Sequence, residues 1–222
     1  MISDLKKKSW DYDLIAMAHH EAGHVVCALH NFMYVNDASV MTPNKKEGST
    51  NFIIYGYYDE YNDSTVEDQD LHKILLIFEI QTLYAGLIAE KMYYKDICGS
   101  HKFPNHLKNG SSYDTGLASS LIRKNKLAQP GKQTFLLKKQ IQYDVEQILA
   151  EHWDAVKVVA HFLYQKKRLT FDEMKYALSR RTERKDFWKD KFKKIKLIHN
   201  DKIHPTEEFV KDLVLEDAIF SI

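Results

Sequence analysis

The chain has 222 residues, with 32 basic against 31 acidic side chains and a formal net charge of +1. That length supports a substantial core in one large domain or two small ones, and the balanced charge demands neither nucleic acid nor a membrane surface as partner. Two cysteines far apart, Cys27 and Cys98, argue against a disulfide framework and for a reducing compartment.

The N-terminus, with Lys6, Lys7 and Lys8 followed by Trp10-Asp11-Tyr12-Asp13, lacks the apolar core of a signal peptide. The expectation is a soluble, cytoplasmic protein. Residues 11–33 then read as a buried helix, because apolar residues from Leu14 to Leu29 recur at three- and four-residue intervals without a proline. Asp11 or Asp13 is expected to cap it.

Inside this helix stands His20-Glu21-Ala22-Gly23-His24, an H-E-x-x-H pattern. It puts two imidazoles on one helical face with a carboxylate beside the first. The arrangement suits a zinc ion held by His20 and His24 while Glu21 handles protons of water. The bland alternative is a core helix whose histidines are satisfied by hydrogen bonds. Gly23 costs about 1 kcal/mol relative to alanine in a helix, which makes sense where another backbone or a substrate passes close by.

A β-like region follows, with strands expected at Ala38–Thr42 and Thr50–Tyr58 around a turn at residues 43–48. Phe52, Ile53 and Ile54 on the second strand offer an edge to which an extended peptide could add as a further strand; ordinary sheet packing accounts for them equally well. Leu71 to Tyr94 reads as a long apolar helix, too polar at Glu79, Gln81, Glu90 and Lys91 to span a bilayer. Residues 96–112 form a loop, and Ser112 or Asp114 starts a helix to about Lys126. Gln129-Pro130-Gly131 breaks the chain. One long helix over Phe135–Gln165 is expected next, then a short one opening with the capping box Thr170-Phe171-Asp172-Glu173.

A catalytic zinc usually takes a third protein ligand, and the downstream candidates are Glu90, Asp96, His101, His106 and Asp114. His19 points away from His20 on a helix and reads as structural.

Here the sequence resembles a known family. His20-Glu21-Ala22-Gly23-His24 with Val25-Val26-Cys27-Ala28-Leu29 is similar to the H-E-A-G-H-A-V-x-A-L segment of the FtsH-type ATP-dependent zinc metallopeptidases. Three further blocks fall in that family's order. Val40-Met41-Thr42-Pro43 resembles its T-I-x-P turn, Tyr84 to Glu90 its G-G-R-x-A-E helix, and Asn109 to Asp114 its T-G-A-x-x-D segment. The resemblance covers about residues 14–178 and implies Asp114 as third zinc ligand, Glu21 as general base and Glu90 as hydrogen-bond partner of a ligand imidazole. It departs from the family at Ala85, Leu87, Asn109 and Ser111, and in a longer stretch between Glu90 and Gly110. No G-x-x-x-x-G-K-[ST] loop occurs.

The expected fold is therefore mainly α: a helical zinc-metallopeptidase domain over 1–178, with a small β-sheet or hairpin between the first two long helices. The expected function is a stand-alone metallopeptidase that cuts a flexible or specific protein substrate, or borrows an unfoldase in trans. The family's hexameric rings leave a homo-oligomer open. Two rival readings are a catalytically silent peptidase fold used as a binding module and a helical scaffold that binds nucleic acid. The last rests on the extension over 179–222, where Arg180 to Lys196 holds nine Lys or Arg interleaved with Phe187, Trp188 and Phe192. A solvated helix with an aromatic face docked on the body or on a partner is the preferred account of that stretch.

Overall fold

From Leu14 onward the first helix is apolar around most of its circumference, broken by the turn His19 to His24, and such a helix belongs at the centre of a core rather than on its surface. The computed structural model, which describes residues 2–40, 48–53, 69–98 and 112–200, places it there. Helix α1 (Ile2–His30) packs against α2 (Gln69–Cys98) along most of its second half, and also against α5 (Trp153–Lys166). Ala16, Ala18, Ala22, Val25, Val26, Ala28 and Leu29 are fully buried. The helix begins at Ile2, so neither Asp11 nor Asp13 caps it; no glycine or proline between them interrupts the turn.

α1 also stops at His30, three residues short of the expected end. Phe32 adopts a left-handed backbone (φ 59°), with its N–H on the Leu29 carbonyl at 3.2 Å and the Met33 N–H on the Ala28 carbonyl at 2.9 Å. This is the hydrogen-bond pattern of a Schellman cap, normally given to glycine. Phe32 holds it under the Lys191 ammonium, 3.3 Å from the ring centroid, a cation–π contact.

The turn leads straight into β1 (Tyr34–Ser39), which pairs antiparallel with β2 (Ser49–Ile53) and, on its other side, with β3 (Arg168–Thr170). Ala38 faces Thr50 across one ladder and Leu169 across the other. β1 starts four residues earlier than expected and ends three earlier, and Thr42 and Pro43 lie outside the described residues, as do Ile54 to Tyr58. β3 was not expected at all: three residues are too short for an alternating pattern to show. Thr170 ends it and forms the capping box of α6 (Phe171–Arg181), with the Glu173 carboxylate accepting from the Thr170 backbone N–H at 2.9 Å.

Seven helices take up 80 % of the described residues, so the fold is mainly α with a small antiparallel sheet, as expected. α2 over His72–Asp96 is long and apolar enough, by length and composition alone, to cross a membrane (mean hydropathy 1.3), a test that a buried core helix also passes. Of the 18-residue window within it that meets this test, 67 % is buried in the fold. α3 (Ser112–Lys124) and α4 (Lys132–Glu151) pack on α2. Between them Gly131 takes a positive φ of 93° after Pro130, a conformation glycine adopts without a steric penalty.

The single helix expected over 135–165 is two helices, α4 and α5, broken at His152 (φ −113°, ψ 26°). The His152 ring is fully buried, stacked on Phe187 (centroids 4.9 Å) and tilted against Trp188 (5.1 Å) of α7 (Lys185–Asn200). Trp188, Phe192 and Ile195 of α7 join the main core. The aromatic side of the basic stretch therefore packs inward, and Trp188 and Phe192 present no face on which a base could stack.

His152 also approaches His30, Nε2 to Nδ1, at 3.2 Å. Burial is the main cause that holds His152 down to about 4, with the nearby Glu151 opposing it and Arg184 reinforcing it; burial also holds His30 well below its ordinary value. An unfolded chain binds a proton at His152 from pH 6.5 downward, whereas the folded chain does so only near pH 4. The contribution of His152 to stability is therefore complete above about pH 6.5 and lost as pH falls to 4, about 3 kcal/mol in all. The urea midpoint should fall between pH 7 and pH 4.5, and His152→Leu should flatten that slope.

Candidate metal centre

The site is built where α1 and α2 cross. A Cβ on Gly23 would lie 2.5 Å from both the Ala85 carbonyl oxygen and the Ala89 Cβ. Glycine at this point, against two alanines, lets the helix backbones approach closely. His20, three residues before Gly23, and His24, the residue after it, then reach across to α2.

Each imidazole is held through Nδ1. His24 Nδ1 donates to the Thr82 backbone carbonyl at 2.7 Å, and His20 Nδ1 lies 3.2 Å from Glu90 Oε2. A proton on each Nδ1 leaves Nε2 as the lone-pair atom. The two Nε2 atoms stand 3.1 Å apart. Asp114 Oδ2, from the first turn of α3, lies 3.3 Å from His20 Nε2 and 3.5 Å from His24 Nε2. The room for this convergence comes from Gly86, where a Cβ would sit 2.4 Å from His24 Nε2 and 2.5 Å from His20 Nε2.

Three lone-pair atoms turned toward one point repel unless a positive charge lies between them. The electrostatics show that preference. Burial alone would lower the His20 pKa, yet hydrogen bonds to Asp114 and Glu90 and the charge of Glu21 raise it to about 10. Burial would raise Asp114, and His20 and His24 override it to hold the carboxyl below the usual carboxylate range. A divalent cation satisfies the same demand with more charge. A tetrahedral ion with bonds of about 2.0–2.1 Å separates its ligand atoms by about 3.3–3.4 Å, close to the three distances here. The donor set therefore fits a metal ion. Among the described residues, His20, His24 and Asp114 are the one group of this kind, their donor atoms all within 4.8 Å.

Glu21 is 4 % exposed and lies beside the pair on the same turn. Its Oε2 accepts from the Thr50 hydroxyl of β2 at 2.7 Å. His20 and Asp114 keep 14 % and 18 % of their side-chain surface in solvent, so the cluster opens on one side while Glu21, His24 and Glu90 form its wall.

The other sequence candidates fall elsewhere. Asp96 accepts from the Trp153 indole N–H at 2.6 Å, remote from the pair. His19 turns away, its Nδ1 on the Ile15 carbonyl at 2.8 Å and its ring stacked on Tyr93. His101, His106 and Ile54 lie outside the described residues. Phe52 and Ile53 sit on β2 opposite Val35 and Tyr34, their side chains outside the described set. Sequence reasoning missed Thr82, Gly86, Gly48 and Thr50. Only the glycine in α2 left a trace, since a helix tolerates glycine at a cost and so hints at a close approach. No known protein family's profile matches this chain, and no curated protein matches it either.

Proposed function

We propose that the chain is a zinc-dependent metallopeptidase acting on flexible segments of protein substrates, with His20, His24 and Asp114 as the metal-holding residues and Glu21 as the general base. The observation that carries this reading is the meeting of two Nδ1-anchored imidazoles and a carboxylate at one partly open point, with a second carboxylate alongside. Two histidines and one carboxylate are the ligand set of hydrolytic zinc sites, which keep a fourth position open. Bound there, zinc supplies Lewis acidity, which brings the ionisation of water near neutral pH and polarises a peptide carbonyl.

The chain's own residues do the rest. Glu90 and the Thr82 carbonyl fix the two ring tautomers and their aim. Glu21 takes a proton from the attacking water as its oxygen bonds to the peptide carbon, and returns that proton to the departing amine nitrogen as the C–N bond breaks. Its position on the same helical turn as His20 keeps the proton carrier within reach of the open face. The little side-chain surface left in solvent at His20 and Asp114, 14 % and 18 %, is why a flexible segment rather than a folded surface is the substrate proposed.

The test is cleavage of a labelled, unfolded protein by the purified chain. Cleavage is expected with one zinc per chain, to stop on chelation and to return on adding zinc back. Equal cleavage before and after complete metal removal would rule the reading out.

A further inference from the structure

We infer that Thr50 is the positioning residue of the general base: its hydroxyl sets the direction of the Glu21 carboxylate. The inference rests on the peptidase reading above and adds a residue from a different element. The Thr50 hydroxyl has a single proton, and the shorter of its two contacts with Glu21 is to the carboxylate, 2.7 Å to Oε2 against 3.4 Å to the backbone carbonyl. A charge-assisted hydrogen bond of that length is among the stronger side-chain contacts and fixes direction as well as distance.

The other carboxylate oxygen is fixed by shape. A Cβ on Gly48 would lie 2.3 Å from Glu21 Oε1, 2.8 Å from Cδ and 2.9 Å from Cγ. The chain entering β2 therefore lies directly on the carboxylate, and a larger residue at that point would push the Glu21 side chain out of its place. One oxygen is held by a donor and the other faces bare backbone. Together these leave a buried carboxylate with little freedom to turn.

β2 is itself held firmly in place. Ser49 and Thr50 pair with Ser39 and Ala38 of β1, the Ser39 and Ser49 hydroxyls lie 3.2 Å apart, and β1 follows α1 after the three-residue cap. Glu21, the cap, β1 and Thr50 thus close a short ring of structure around the base. A general base works only when its oxygen is aimed at the proton it takes, and an oxygen misplaced by a fraction of an ångström loses rate without losing substrate affinity. Thr50 contributes this aim without touching substrate or metal ligand.

The experiment compares wild type, Thr50→Val and Thr50→Ser as zinc-loaded proteins. Valine keeps the shape and removes the donor; serine restores the donor. Expected for Thr50→Val is one zinc per chain, a KM within about twofold and a kcat lower by about 10–100-fold, the range seen when an outer hydrogen-bond partner is removed. Thr50→Ser should recover most of kcat. The carboxyl-carbon NMR shift of Glu21 at pH 7 should move in the valine variant and return in the serine variant, a readout that does not depend on turnover. A valine variant with unchanged kcat and unchanged Glu21 shift, in a protein whose wild type cleaves, overturns the role of Thr50 alone. If wild type and Glu21→Gln are equally inert with zinc bound, the peptidase reading falls and takes this inference with it.

Discussion

Glu21→Gln is expected to bind zinc as the wild type does and to cleave about 10²–10⁴-fold more slowly, the range that one positioned proton carrier supplies. The substitution is close to isosteric. A glutamine oxygen still accepts from the Thr50 hydroxyl, and no polar contact to His20, His24 or Asp114 is removed. What disappears is the capacity to hold a proton. In barrier terms the expected loss is about 3–5 kcal/mol. The measurement is kcat on an unfolded substrate beside zinc stoichiometry on the same samples. Full activity in this variant would remove Glu21 from the mechanism, however the metal behaves.

Asp114→Ala should lose the metal itself. With the carboxylate gone, the two imidazoles remain as neutral donors, and the nearest remaining negative charges are Glu90, engaged with His20 Nδ1, and Glu21, engaged with Thr50. The weakening should exceed the roughly 10–100-fold cost of losing an outer hydrogen-bond partner, so zinc should fall from one per chain to well under about a tenth after gel filtration. Asp114 lies in the first turn of α3 and is partly exposed, so the fold should survive; an unchanged helical circular-dichroism signal would show it. Stoichiometric zinc in Asp114→Ala would transfer the third-ligand role to another carboxylate, Glu90 first.

Both predictions depend on residues of different legibility. His20, Glu21 and His24 are readable because a helix repeats every 3.6 residues, so four positions of sequence are enough to put two side chains on one face. The run from Leu14 to Leu29 identified that helix for the same local reason. Its ends were less legible. α1 begins at Ile2 instead of Asp11 or Asp13, and it ends at His30 because Phe32 accepts a left-handed backbone that composition would assign to glycine. The break at His152 was hidden likewise: nothing within 135–165 forbids one helix, and the cause is a ring seated against Phe187 and Trp188 more than thirty positions away.

Asp114 and Glu90 stood among five downstream candidates and took their separate roles from a resemblance, and the fold brings each within 3.5 Å of an imidazole from 70 to 94 positions away in sequence. By itself, then, the sequence determined the turn of α1 that carries His20 and His24 on one face, the acid beside it and the mainly helical class, all consequences of short-range periodicity. The tertiary structure alone decided that the Thr82 carbonyl anchors His24, that Gly86 clears the space between the rings, and that Thr50 on β2 holds the Glu21 carboxylate. A backbone carbonyl, a missing side chain and a hydroxyl on another element carry no periodic signature; their part is set by how closely two helices and a strand approach, which packing decides.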